Sequence, residues 1–300
     1  MKNILIFGDS NTWGYDVTAY IPELGACQRM NEKERWPGIV RSSLGEGYLV
    51  TEDALNARTI MVHDSWNANR LGLTSYNIRH CAGPGGKLDV RRVAEVIAQE
   101  KPDFVGLNEV DCRVKRSGGV DEPAELGRLA GLHATFGKAI PLGGGAYGNA
   151  VLSRRKPLSV VTVPLPGREP RVLLLCEFRD FWFGTTHLDF GKYQLEAVEV
   201  IRGVVAEKAK GKPVFLTGDW NATPESKTLD AMREFMTVLS KEDCLTFHGY
   251  RKQPPERVYC IDYIAVDKAH AGCFSVTDSR ATSHPEVSDH NPVSVSLERK

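Results

Sequence analysis

The chain has no charge of one sign to spare: 38 Lys and Arg stand against 38 Asp and Glu. It therefore lacks the strong basic field on which nonspecific nucleic-acid binding relies. Divided after residue 65 the balance barely moves, with 6 basic against 9 acidic residues before that point and 32 against 29 after it. Long apolar runs are missing as well. No window approaches the roughly 18 apolar residues of a spanning helix, and the opening run Ile4-Leu5-Ile6-Phe7 is too short for a secretory signal, so the expected location is the cytoplasm. Cysteine is present but unorganised. Cys27, Cys81, Cys112, Cys176, Cys244, Cys260 and Cys273 are odd in number and contain no Cys-x-x-Cys pair, which argues against a disulfide framework or zinc knuckle and for small core residues. No internal repeat or low-complexity tract is present. The glycine cluster Gly143-Gly144-Gly145 lacks the Lys-Ser/Thr of a phosphate-binding loop and leads into a strand, so a mobile loop is expected there instead.

What the chain does have is apolar runs that stop at polar residues. With 300 residues and 42% hydrophobic content it can bury a sizeable core. The most informative stretch, Thr217-Gly218-Asp219-Trp220-Asn221-Ala222-Thr223-Pro224, follows the apolar strand Val214–Leu216 and places Asp219 and Asn221 two residues apart. Two residues apart on a strand end means one direction for both side chains, and a carboxylate beside a carboxamide can hold a water and a metal. The bland alternative is an Asx-turn closing the strand. Six further runs end or carry similar residues: Asn77 after Leu73–Tyr76, Glu109 after Phe104–Asn108, Asn149 and Arg154 around Ala150–Ser153, His187 and Asp189 after Phe183–Thr186, Asp262 beside Ile261, and Asp289 with His290 before Pro292.

Their order and spacing resemble the endonuclease/exonuclease/phosphatase superfamily of metal-dependent phosphohydrolases over roughly residues 70–300. The carrying features are Gly-Asp-x-Asn at 218–221, a later strand Asp at 262, and the terminal Ser288-Asp289-His290. Asn108 stands where the family usually has Gln, which shortens one amide and leaves the Glu109 carboxylate in place. The resemblance implies a four-layer α/β sandwich of two packed mixed sheets flanked by helices, with its site at one edge. It further implies Mg²⁺ or Mn²⁺ on Glu109, with Asn77 and Asp289 nearby, since oxygen ligands and water suit these ions. Asp219 would activate the attacking water, Asn221 and Asn149 would bind phosphate, and His290, oriented by Asp262, and His187 would serve the phosphoryl and leaving-group sides. The substrate expected is a phosphoester, most simply a diester, with nucleic acid not indicated by charge.

The start of the chain reads differently. Strand Asn3–Phe7 runs into Gly8-Asp9-Ser10-Asn11-Thr12, which looks like the nucleophile block of SGNH (GDSL-type) esterases, and the likeness continues through Arg35-Trp36-Pro37 and Leu55-Asn56-Ala57 to about Ser65. Ala57 replaces an oxyanion-hole Gly of that family. No later block supplies the base and oxyanion donors that a serine nucleophile needs, and adjacent His63 and Asp64 cannot adopt base–orienter geometry. Residues 1–65 are thus expected to be an incomplete flavodoxin-like fragment with one or two strands and a helix, and 66–300 the catalytic domain. Carboxylester hydrolysis at Ser10 and a noncatalytic sandwich module are the competing readings.

Periodicity predicts amphipathic helices over Asp89–Gln99 and Tyr193–Ala209, the second with Leu195, Val198, Ile201, Val204 and Val205 inward. Strands are expected at Tyr147–Ser153, Ser159–Leu165, Arg171–Phe178, Phe181–His187, Val214–Gly218, Val258–Val266, Cys273–Thr277 and Pro292–Leu297. The basic run Arg113–Arg116 reads as solvated surface, whereas Arg154-Arg155-Lys156 could face a phosphate. Tyr193, Phe247 and Tyr250 read as partial core. Oligomeric state is not indicated.

Overall fold

The computed structural model describes residues 70–250 and 259–300 in full and, of the residues before them, the backbone of four strands. By contact the chain divides into two compact units, Met1–Ala68 and Asn69–Lys300. In the first, β1 (Lys2–Gly8) pairs in parallel with β4 (Tyr48–Ala54), and β2 (Tyr15–Ile21) pairs antiparallel with β3 (Ala26–Arg29). The expected strand Asn3–Phe7 lies in β1, and four strands are present where one or two were expected. Ser10, Ala57, His63, Asp64 and the rest of the esterase-like block fall outside the described residues.

The second unit holds two six-stranded mixed sheets. One contains β5 (Arg70–Asn77), β6 (Phe104–Cys112), β7 (His133–Leu142), β8 (Gly145–Ser153), β15 (Phe274–Ala281) and β16 (Val293–Arg299), in the order β15-β16-β5-β6-β8-β7. The other contains β9 (Ser159–Leu165), β10 (Arg171–Glu177), β11 (Trp182–Thr186), β12 (Val214–Asp219), β13 (Met236–Val238) and β14 (Asp262–Asp267), in the order β13-β14-β12-β11-β10-β9. Helices α1 (Val90–Glu100) and α2 (Glu122–Ala130) cover the first sheet, and α3 (Tyr193–Lys208) and α4 (Lys227–Arg233) the second.

Four layers require three apolar interfaces, and the period-2 strand pattern supplies them. Along β10, Leu173 and Leu175 face α3 while Leu174 and Cys176 face the other sheet; along β12, Val214 and Leu216 face the helices while Phe215 faces inward. Strands buried on both faces therefore read as unbroken apolar runs. Between the sheets Phe215, Phe183 and Phe104 meet Leu73, Val293 and Val295. At Gly106 the sheets approach so closely that a Cβ would lie 1.9 Å from Thr217 Oγ1.

The α1 helix is capped by the Asp89 side chain, which accepts from Arg92 N, and stops at Lys101 in the left-handed region before Pro102. Several expectations are corrected. Leu195 is exposed, and Gln194, Ala197, Val198, Ile201 and Val205 form the buried face of α3. The Gly143–Gly145 cluster is a tight turn and not a longer loop: Gly143 and Gly144, both at positive φ, form the hairpin between β7 and β8, as two-residue turns with this twist require. Strand β7 and helices α2 and α4 were not anticipated. Arg116 is not merely solvated, since it pairs through Nε and Nη2 with the buried carboxylate of Asp111. Among the described residues all cysteines are free thiols; Cys81, Cys176 and Cys260 are buried, whereas Cys112 and Cys244 are half-buried and Cys273 is exposed.

Candidate active site

Sheet order brings the polar strand ends to one edge. β5 and β6 run in parallel with Asn77 beside Asn108, and β11 and β12 run in parallel with Thr185 beside Thr217, so the C-terminal ends of all four strands point the same way. β14 runs antiparallel to β12 and places Asp262 opposite Asp219. β16 runs antiparallel to β5, with Val293 opposite Ser75, which delivers the preceding segment Ser288–Asn291 to the same edge.

Two departures from regular strand geometry aim the side chains. β6 does not end at Glu109 but continues to Cys112 through a register shift between Leu107 and Val110, and Glu109 sits there at φ 56°. Adjacent residues of an unbroken strand face opposite sides; the bulge lets Asn108 reach between the sheets while Glu109 meets Asn77, whose Nδ2 donates to Glu109 Oε1 at 3.0 Å. A non-glycine residue in this region costs on the order of 1–2 kcal/mol, which the surrounding bonds must outweigh. The second departure follows Gly218, at φ +145°, where a Cβ would lie 1.8 Å from Thr186 O. That close approach explains the Gly of the Gly-Asp pair. Asp219 Oδ1 then accepts from Asn221 N at 2.9 Å, so the Asx-turn is real and leaves Oδ2 for the site.

Asp219 Oδ2 is the hub. It accepts from Asn77 Nδ2 at 3.0 Å and lies 3.6 Å from His290 Nε2 and 3.5 Å from His187 Nε2. His290 Nδ1 is 2.9 Å from Asp262 Oδ2, and the Phe247 ring packs 4.8 Å from the imidazole. The neighbours of this pair in sequence do the holding: Ser288 Oγ donates to Asn77 O at 2.8 Å, and Asn291 Nδ2 donates to Leu245 O at 2.9 Å. Asn108 ties the two sheets together. Its Oδ1 accepts from Asp219 N at 2.9 Å, and its Nδ2 donates to Thr185 Oγ1 at 3.1 Å and Asn149 Oδ1 at 3.0 Å. The shorter amide thus keeps a full set of supporting bonds.

Burial sets the charge states. Asp219 is pushed up to about 7, first by burial and then by repulsion from Asp262, against opposing effects from His290, Asn221 N and Asn77. Burial alone would lower His290, but the carboxylates of Asp262 and Asp219 outweigh it and hold the imidazole at about 10. His187 goes the other way, well below an ordinary histidine, through burial and the positive charges of Arg171 and His290. The site thus holds one charged and one neutral imidazole.

Other expected residues are placed at a distance from this hub or are already engaged. Asn149 is buried in β8, where its amide donates to Val172 O at 2.8 Å and accepts from Asn108, beneath the cluster. Asp289 lies 3.6 Å from Arg79 Nε at the rim. The Asp189 carboxylate accepts from Arg168 N, Glu169 N and Phe190 N and so pins two loops. Arg154 lies at the opposite end of β6, paired with Asp103 at 2.7 Å, and does not face the cluster. Arg79 and Arg171 carry no motif that points to the site, and Tyr250 is at its rim and not only core. Arg79, at φ 46°, and Tyr250, at φ 57°, flank the rim, with Arg79 Nη1 donating to Tyr250 OH at 3.2 Å. Arg171 is buried beside His187. Its only sequence signal is a cation opening the apolar strand Val172–Cys176.

Glu109 offers the better test of a metal. Among the described residues its carboxylate accepts one hydrogen bond, from Asn77, and burial raises its pKa, with Asp289 adding repulsion. An undercompensated, half-buried carboxylate next to an amide and a second acid suits a hard divalent cation that keeps water ligands. Ligand-type atoms of Asp219, Asp262 and His290 also fall within 4.8 Å of one another. There, however, Asp262 and His290 already bond each other, and an ion would have to break that bond.

A model of the endonuclease/exonuclease/phosphatase family matches residues 65–290. No curated protein sequence matches the chain. Among solved structures, an endonuclease/exonuclease/phosphatase from Beutenbergia cavernae superimposes with a TM-score of 0.63 at 23% identity, covering 77% of this chain and 72% of that one. One from Bacteroides vulgatus gives 0.64 at 21% identity, covering 77% and 99%. A mannosyl-6-phosphatase from Bacteroides thetaiotaomicron gives 0.59 at 20% identity, covering 76% and 99%. At such identities the likeness carries the fold.

Proposed function

We propose, on the premise that the chain belongs to the endonuclease/exonuclease/phosphatase family, that it is a divalent-metal-dependent phosphoric ester hydrolase acting on a phosphodiester. The observation that carries this reading is the Asp262–His290–Asp219 chain facing the Glu109–Asn77 pair across one sheet edge. Glu109, with Asn77 and Asp289, would hold Mg²⁺ or Mn²⁺, which would supply Lewis-acid neutralisation of the negative charge that develops on the phosphoester.

The chain's own residues do the rest. Asp219, with its elevated pKa, orients the attacking water and takes its proton. Asn221 offers its amide to a phosphoryl oxygen. His290, kept cationic by Asp262, stabilises the negative charge that grows on the pentacovalent phosphorus centre. His187 serves the leaving-group side. Asn149, with its amide engaged, acts through Asn108.

The test is turnover of bis(p-nitrophenyl) phosphate, plasmid DNA, sphingomyelin and a sugar phosphomonoester by the full chain, with Mg²⁺ or Mn²⁺ and with EDTA. Hydrolysis of a diester that EDTA abolishes and metal restores is expected. Preference for the monoester would replace the diester assignment, and metal-independent turnover or none at all would overturn the reading.

A further inference from the structure

His187 lies between two hydrogen-bond donors. Arg171 Nη1 is 3.2 Å from its Nδ1, and Asn221 Nδ2 is 3.1 Å from its Nε2. A neutral imidazole has one N–H and one lone pair, and a protonated one has no lone pair at all, so both donors cannot be accepted together. The two contacts are unequal. A guanidinium donates from every nitrogen and cannot turn an acceptor toward the ring, and this one is held: Arg171 is buried and Nη1 donates to Glu169 Oε1 at 2.7 Å. Asn221 is a neutral amide, and its Nδ2 carries two hydrogens, one of them donated to Leu188 O at 2.8 Å. Only one of the two bonds can be kept, and the one from the guanidinium is charge-assisted and roughly twice as strong as one from a neutral amide, so the lone pair faces Arg171 and the Asn221 contact at 3.1 Å is given up. On the far side of the ring Asp219 Oδ2 is 3.5 Å from Nε2 and is the acceptor nearest to a hydrogen carried there.

We propose that Arg171 is a positioning residue that locks His187 as the neutral Nε2–H tautomer, so that His187 presents a hydrogen-bond donor and never a base to the reacting phosphoester. This deepens the hydrolase reading and rests on it for the substrate's presence, while the tautomer itself does not depend on turnover. Before substrate binds, the Nε2–H is directed at Asp219; with substrate bound, the same hydrogen is available to the leaving-group oxygen. The assignment divides the labour. His290 supplies charge and His187 a directional neutral donor, and Asp219 is left as the base that approaches both rings.

The experiment is nitrogen-15 NMR of histidine-labelled full-length protein near neutral pH, with H187A used to assign the signals, alongside kinetics of R171M and R171Q. Wild type is expected to show an unprotonated Nδ1 and a protonated Nε2 on His187. R171M, which removes the donor, should lose that single pattern and lower kcat by about tenfold to a hundredfold with little change in KM. R171Q, whose amide can turn either a donor or an acceptor to the ring, should hold the pattern only in part and fall between R171M and wild type in kcat. A protonated Nδ1 in wild type overturns the proposal, as does an R171M protein that keeps both tautomer and kcat. Should R171M not fold, the wild-type spectrum alone decides. A wild-type protein with the expected tautomer but no phosphoester turnover would sink the hydrolase reading and leave this one standing.

Discussion

The two imidazoles of the site sit within 3.6 Å of the same carboxylate and are held in opposite states. On the β14–β16 side, His290 is backed by the carboxylate of Asp262 and stays charged; on the β10–β11 side, His187 is backed by the guanidinium of Arg171 and stays neutral. Burial is nearly the same for both rings. What differs is the sign of the group behind each one. A histidine's role in a buried site is therefore set less by its depth than by the partner on its remote nitrogen.

The comparison breaks most readily where the effects are largest. D219N, H290A and E109A should each lower kcat on a phosphodiester by about 10³-fold or more while the fold survives, since each removes a transition-state interaction. Wild-type-like turnover in any of them would remove its assigned role. H187A should cost less, about tenfold to a hundredfold, because a neutral donor stabilises developing charge less than a cation does. Equal losses for H187A and H290A would abolish the distinction.

Titration sharpens it. Activity should rise with pH as Asp219 ionises near about 7 and fall as His290 loses its proton near about 10. D262N removes the largest effect holding the proton on His290, so the alkaline limb of kcat/KM should move to lower pH. R171Q should leave that limb in place.

Stability provides the smaller effects. N108A leaves Asp219 N buried without its acceptor and should cost about 1–3 kcal/mol in urea unfolding. A carboxylate away from the cluster serves as the control. Glu122 is fully buried, with only Oε2 bonded, to Asp111 N, and burial pushes it up to about 8. Its folded pKa exceeds its unfolded one. The folded state therefore binds the extra proton between about pH 4.5 and 8, and stability falls as pH rises through that window, by at most ~1.4 kcal/mol per unit. E122Q should flatten this slope and leave the activity profile unchanged; an unaltered slope would mean that Glu122 is not the titrating group.

Much of this was legible beforehand because strand burial and polar strand ends leave local marks. The double-sided apolar runs of β10 and β12, the Gly before Asp219, and the Ser288-Asp289-His290 block all carry their reasons within a few residues. Other features left no such mark. Helix α2 hides in a mixed stretch of glutamate, proline and glycine, and what holds it is packing on α1, β7 and β6. The bulge at Glu109 breaks the period-2 reading without any glycine to announce it. Arg154 beside Asn149 looked like a phosphate ligand because sequence adjacency does not tell which end of a strand a residue occupies.

The sequence by itself determined that two sheets would be buried on both faces and which acids, amides and imidazoles would stand at strand ends, because side-chain alternation and turn chemistry act over a handful of residues. Only the tertiary structure decided which of those groups meet and in what charge state. Asp262 reaches His290 and Arg171 reaches His187 through strand order and register, and a buried proton's position depends on whichever charge the fold happens to set beside it.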